Sequence, residues 1–80
     1  MTDTIHLLDI VALTIDVPEN HLTRGEIGTV VECYPRGAYE VEFVAQDGYT
    51  YALVTLRGEQ LLPLRQKQIH SDLEAVSAAL

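Results

Sequence analysis

The chain has 80 residues, which allows one small domain, because a chain of this length buries only ~60 to 65% of the surface that its unfolded form exposes. Hydrophobic residues make up 48% of the sequence and charged residues 21%, a balance that predicts a folded domain and excludes a disordered chain. The net charge of −7 at pH 7 repels phosphate groups, so nucleic acid is disfavoured as a partner.

The sequence predicts a cytoplasmic protein that makes no contact with a membrane. Its single cysteine, Cys33, cannot form an internal disulfide, and the opening MTDTIHLLD lacks the basic and apolar regions of a signal peptide. The uninterrupted apolar stretches are only a few residues long, far below the roughly 20 residues that cross a bilayer.

Short β-rich runs separated by turn residues predict a mainly β domain over residues 1–64, a five-stranded SH3-like antiparallel barrel. The long connection 15–28 resembles the long first loop of such a barrel. Pro63 lacks an N–H and therefore places the last strand at an edge or at a bulge. The predicted strands are residues 9–14, 29–34, 38–44, 50–56 and 61–64.

Two hairpins predict the strand register. A three-residue loop at 35–37 needs Gly37 in the left-handed conformation and places Tyr34 opposite Ala38. The same register sets Glu32 opposite Glu40, and it puts Val30 on the outer face. The core face then holds Val31, Cys33, Tyr39, Val41 and Phe43.

The pair Asp47 and Gly48 predicts a tight two-residue turn between the third and fourth strands, with positive φ at both positions. This turn sets Phe43 opposite Ala52, and a four-residue loop would keep the same parity. Because side chains alternate along a strand, Val54 and Leu56 are predicted to join the core with Ala52.

Residues 65–80 are predicted to form an amphipathic C-terminal helix. Its apolar stripe has spacings of four, three and four residues. Ser71 and Glu74 fit a capping box, which places the helix start at Asp72. So short a helix must pack on the barrel or on a second copy, which leaves a homodimer open. The stripe consists of Ile69, Leu73, Val76 and Leu80.

Five sequence segments together resemble a bacterial family, the domain of unknown function numbered four-nine-two-six. They are LLDIVALT at 7–14, RGEIGTVVECY at 24–34, GAYEVEF at 37–43, TYALVTL at 50–56 and EQLLPL at 59–64. The resemblance covers residues 7–64 and implies a small SH3-like barrel without established activity or catalytic residues. The GTVV segment is also similar to KOW modules, although their basic surface is missing. Antitoxin and immunity proteins, which are short domains of this kind, offer an analogy.

No set of residues indicates catalysis, a metal or a cofactor. His6, His21 and His70 lie in separate segments without the spacing of a local metal pair. Cys33, with core neighbours, is predicted to be a buried, inert thiol. Gly25 and Gly28 are interpreted as turn residues, because no helix follows them to bind phosphate.

The outer sheet face is the candidate partner-binding site. An apolar excess away from the core is typical of a contact surface, and opposed glutamates cost a few tenths of a kcal/mol. The predicted binding residues are Tyr51, Leu53, Tyr49, Tyr34, Glu32, Glu40 and Glu42.

Two interpretations of this face stay open: it binds a basic protein, or Ile69, Leu73 and Val76 of the tail cover Tyr51 and Leu53. The predicted function is a non-catalytic protein-binding module, with an antitoxin or immunity protein as its concrete form. The alternative is a KOW-like nucleic-acid or ribosome-associated module.

Overall fold

The computed structural model describes residues 4–45 and 47–64, and all five predicted strands are present there. Short 3-10 helices, Pro18–Asn20 and Gly58–Gln60, precede β2 and β5. The predicted C-terminal helix lies outside the described residues. The strands are β1 (Ile10–Leu13), β2 (Ile27–Tyr34), β3 (Ala38–Val44), β4 (Thr50–Arg57) and β5 (Leu61–Pro63).

The strands form one antiparallel sheet in the order β4-β3-β2-β1-β5. This confirms a mainly β antiparallel domain. Within the described residues β4 and β5 are the two edges and do not pair, so the sheet is not closed into the predicted barrel. Pro63 lies in the edge strand β5 as predicted, where its missing N–H interrupts no ladder.

The core lies on the inner face of this sheet and draws buried side chains from every strand. The long connection between β1 and β2 adds Val17 and Leu22, whose backbones pair with each other. Val41, Phe43 and Leu56 are buried as predicted, with Ala52, Val54 and Tyr39 packed partly buried against them. The core residues are Ile5, Val11, Leu13, Val17, Leu22, Val30, Val41, Phe43, Leu56 and Leu61.

A β-bulge in β2 changes the predicted core. Pairing of Glu32 with Glu40 is confirmed, but the register then shifts and Val30 pairs with Val41. Val31 is the extra residue and is half-buried, whereas Val30 is fully buried. The predictions of Val31 in the core and Val30 on the outer face are therefore wrong, because one inserted residue reverses the alternation of faces.

The prediction of a buried Cys33 is also wrong, since its thiol is free and exposed. β1 pairs only with Ile27, Gly28 and Thr29 of β2. The last residues of β2 consequently have a paired strand on one side only and extend beyond the core. The loop at 35–37 forms as predicted, with a φ of 74° at Gly37.

The hairpin between β3 and β4 keeps the predicted pairing of Phe43 with Ala52. Near the loop a second bulge shifts the register, so that Val44 pairs with Thr50. Gly48 has the predicted positive φ of 90°. The predicted two-residue turn is wrong: the Ala45 N–H donates to the Tyr49 carbonyl at 2.8 Å and closes a wider loop.

Gly28 is a strand residue of β2, which corrects its interpretation as a turn residue. It is buried beneath the side chains of Val41 and Phe43. A Cβ here would lie 2.6 Å from Val41 Cγ1 and 2.9 Å from Phe43 Cε2. Both distances are shorter than real Cβ contacts, so the core requires glycine at this position.

We predict that Gly28→Ala lowers the free energy of unfolding by about 1–3 kcal/mol, the usual cost of overpacking a core. Chemical denaturation followed by circular dichroism measures the change. Gly58→Ala is the matched control, because Gly58 lacks a positive φ and its Cβ would meet Tyr39 Cε2 at an ordinary 3.6 Å. Equal stabilities of the two variants would contradict this packing.

Candidate partner-binding face

The outer face of the sheet divides into two halves of different chemistry. On β5, β1 and β2, Ala12 pairs with both Leu62 and Ile27. Leu62 is 55% exposed and Ile27 48%. Ile10 and Leu64 follow in the next row, joined by the Leu64 N–H donating to the Ile10 carbonyl. We call these five residues the apolar strip.

The second half lies on β2, β3 and β4 and carries three predicted site glutamates. Glu32 pairs with Glu40, and Glu42 pairs with Leu53. Leu53 is 57% exposed. We call Glu32, Glu40, Glu42 and Leu53 the acidic patch. The structure therefore brings together four of the seven predicted binding residues on one surface, and a fifth, Tyr34, reaches it with its hydroxyl group.

Hydroxyl groups surround two carboxylates of the acidic patch. Oε1 of Glu40 accepts from the Thr55 hydroxyl at 2.6 Å and from the Tyr34 hydroxyl at 3.2 Å. Oε2 of Glu42 accepts from the Thr50 hydroxyl at 2.7 Å. Hydrogen bonds to an ionised carboxylate are stronger than neutral ones. They orient the glutamates and offset part of their mutual repulsion.

Tyr34 thus lies at the acidic patch through its hydroxyl group. Desolvation raises the pKa of Tyr34 above its ordinary value, and the hydrogen bond to Glu40 and the negative charges of Glu40 and Glu32 raise it further. The hydroxyl consequently stays protonated and keeps donating to Glu40.

Tyr51 does not lie with the acidic patch, in contrast to the prediction. Its ring packs at a tilt against Phe43, with ring centroids 6.4 Å apart, and its hydroxyl donates to Glu26 Oε1 at 2.8 Å. Tyr51 is the extra residue of the second bulge. A bulge reorients a side chain relative to strict alternation, and here it brings Tyr51 to the rim of the core.

Glu26 is the centre of a hydrogen-bond network that the sequence interpretation missed. Its Oε2 accepts from the Thr23 N–H at 2.8 Å and from the Thr23 hydroxyl at 3.1 Å. Backbone hydrogen bonding from Thr23 and the Tyr51 hydroxyl lower the pKa of Glu26, which partial desolvation opposes. The spacing of Thr23 and Glu26 is that of a capping box, a signal that was present in the sequence.

Tyr49 lies apart from both groups, in the loop before β4. Its side chain is 71% exposed, and its backbone N–H donates to Asp47 Oδ1 at 3.0 Å. Tyr49 therefore belongs to the loop and not to the paired surface of the acidic patch.

The histidines remain separate in the described part of the chain. His6 Nδ1 lies 3.9 Å from Asp9 Oδ2, and His21 takes a left-handed conformation after the first 3-10 helix. Within residues 4–45 and 47–64 no three histidine, cysteine or carboxylate side chains are grouped to hold a metal ion. His70 lies outside the described residues.

The described residues thus form a small, mainly β domain. It is an open antiparallel sheet whose outer face has one acidic and one apolar half. The family model described as Domain of unknown function (DUF4926) matches residues 7–63, and the chain belongs to this family, as its resemblance implied. Comparison with curated proteins and with solved structures finds no match. Among the described residues, no helix has the length and apolar character to cross a membrane.

We predict that Tyr51→Phe destabilises the domain by about 1 kcal/mol or less, because the variant loses one partly exposed hydrogen bond to a carboxylate. The pKa of Glu26 should rise towards its ordinary 4.5. A carboxyl group whose pKa is lower in the folded than in the unfolded state stabilises the folded state at pH values above its unfolded-state pKa. This stabilisation is lost as the pH falls through the folded-state pKa. Thermal unfolding should therefore differ most between wild type and variant at neutral pH, and least in acid.

Tyr49→Phe is the matched control, because the Tyr49 hydroxyl makes no hydrogen bond within residues 4–45 and 47–64. It should leave both the melting temperature and the Glu26 titration, followed by NMR, unchanged. An unaltered Glu26 titration in Tyr51→Phe would show that the hydroxyl does not bind this carboxylate.

Proposed function

We propose that the chain is a non-catalytic protein-binding module whose acidic patch contacts a basic protein. The observation that carries the proposal is the grouping of Glu32, Glu40 and Glu42 on one sheet face, with no ion pair to any of them among the described residues. Carboxylates on a sheet that have no neighbouring positive charge create a negative electrostatic field. This field accelerates the encounter with a positively charged surface.

The acidic patch also offers contact area. Leu53 is exposed beside Glu42, and the Tyr34 ring lies beside Glu40. Binding energy concentrates where apolar and aromatic side chains lose water, while surrounding charges determine the association rate. Because threonine hydroxyls already orient Glu40 and Glu42, less side-chain entropy is lost on binding.

An antitoxin or immunity role is the concrete form of this proposal, and its support is the analogy with the short domains of such proteins. We further propose that the sheet is an open form of an SH3-like barrel. Buried Leu56 of β4 and Leu61 of β5 belong to one cluster although these edge strands do not pair. The exposed free thiol of Cys33 supports the cytoplasm as the compartment, since thiols persist in reducing surroundings.

The alternative, a KOW-like nucleic-acid or ribosome-associated module, requires lysine or arginine to neutralise phosphate. The described basic side chains are Arg24, Arg36 and Arg57. Arg57 Nε lies 3.6 Å from Glu59 Oε2, which opposes phosphate binding there. A salt-sensitive mobility shift with RNA would favour this alternative.

The proposal predicts charge-dependent capture of a partner. A triple variant, E32Q/E40Q/E42Q, keeps the shape of the acidic patch but removes its charge. With the product of the neighbouring gene as the first candidate partner, the variant should associate more slowly than wild type in surface plasmon resonance. Its association rate should also depend less on salt, because the charges act mainly through the encounter.

A second triple variant, E19Q/D47N/E59Q, is the control. It removes the same formal charge from exposed positions outside the acidic patch. It should keep a nearly wild-type association rate. Equal slowing by both variants would assign the effect to net charge alone, and equal binding of the patch variant and wild type would place the site elsewhere, with the loop 15–25 as the next candidate.

A further inference from the structure

The apolar strip is an exposed hydrophobic surface that the proposed function does not use. Ala12 pairs with Ile27 and Leu62, and the Leu64 N–H donates to the Ile10 carbonyl. Four of the five members, Ile10, Ile27, Leu62 and Leu64, are each more than 40% exposed. Contiguous apolar surface of this kind on a monomer marks a contact. We propose that residues 69–80 of the same chain dock on the apolar strip and leave the acidic patch open.

The position at which the described chain ends supports this occupant. Leu64 is itself a member of the apolar strip, and its N–H donates to the Ile10 carbonyl at 2.9 Å. Residue 65, the first residue of the tail, is therefore directly bonded to a member of the apolar strip. The sequence of the tail supplies a complementary stripe: Ile69, Leu73, Val76 and Leu80.

The dimensions of the two surfaces agree. Three strands spaced ~4.8 Å apart make the apolar strip about 10 Å wide, and its strands are three to four residues long where they pair, about 10–13 Å. The helix that the sequence predicts for residues 72–80 would be about 13 Å long at ~1.5 Å per residue. The connection 65–68 reaches up to ~13 Å when extended, enough to return the tail to the strip.

Two effects favour this strip over the alternatives. A short connection gives the tail an effective concentration on the order of millimolar, which favours docking within one chain over docking on a second copy. The predicted first turn of the tail carries Asp72 and Glu74, which the acidic patch repels and the uncharged strip does not. The proposal therefore has the tail on the strip and not over Tyr51 and Leu53, which is one of the two interpretations that the sequence alone left open.

Thiol labelling tests the docking in the full chain. Cys33→Ser removes the native thiol, and Ile27→Cys places a reporter thiol in the apolar strip. Adding Leu73→Ser and Val76→Ser to this variant should accelerate its reaction with Ellman's reagent on the order of tenfold, because a docked state then no longer protects position 27. Circular dichroism verifies that each variant is folded.

The matched control carries the reporter at Leu53→Cys in the acidic patch, again with Cys33→Ser. Its labelling rate should be the same with and without the two tail substitutions. Protection at position 53 instead of 27 would place the tail over the acidic patch and overturn the proposal. Equal labelling of the position-27 reporter with either tail would overturn it too.

Protection at position 27 that increases with protein concentration would assign the strip to a second copy, which also overturns docking within the chain. None of these outcomes involves a bound partner. Failure of the tail to dock is therefore distinguishable from failure of the proposed protein-binding function.

Discussion

The packing of Val41 and Phe43 over Gly28 is the contact on which the rest of the domain depends. Within residues 4–45 and 47–64, a single sheet buries its inner face without a second layer of regular structure. Here β3 supplies the largest buried side chain, and β2 offers no Cβ beneath it. Leu22 from the long connection completes the cover. The core residues of the inner face are at most 8% exposed although the sheet edges do not pair.

The sequence predicts much of this arrangement because alternation and turn residues are local signals. Gly37 fixes the register of β2 against β3 as far as Glu32, and the pairing of Phe43 with Ala52 follows from the position of the next loop. The two errors in register, between β2 and β3 and between β3 and β4, occur where a strand contains one extra residue. A bulge leaves no signal in the composition or in the apolar pattern of a strand. The sequence interpretation therefore assigned Val31 to the core and Val30 to the surface, the reverse of what the structure shows.

The bulges also explain why the predicted binding residues do not all lie together. Glu32 and Glu40 were placed correctly opposite each other, since both lie between the β2–β3 loop and the first bulge. Glu42 follows Glu40 by two residues on β3 and therefore lies on the same face, although it pairs with Thr29 beyond that bulge. Tyr51 was not placed correctly, because the second bulge directs it towards Phe43 and Glu26. The hydroxyl donors to these glutamates could have been predicted from the sequence. Thr55 lies opposite Glu40 in the predicted register, and threonine there has a carboxylate acceptor beside it.

The two outer halves of the sheet make different physical demands on the chain. The acidic patch is stable in water: its opposed glutamates cost a few tenths of a kcal/mol, which Thr55 and Tyr34 offset through hydrogen bonds. No hydrogen bond can stabilise the apolar strip in this way, because the side chains of Ile27 and Leu62 are stabilised only by removal from water. A cover over the strip therefore stabilises the fold, whereas a cover over the patch would have to desolvate charges. Covering the strip with its own tail would leave the charged half free for another protein.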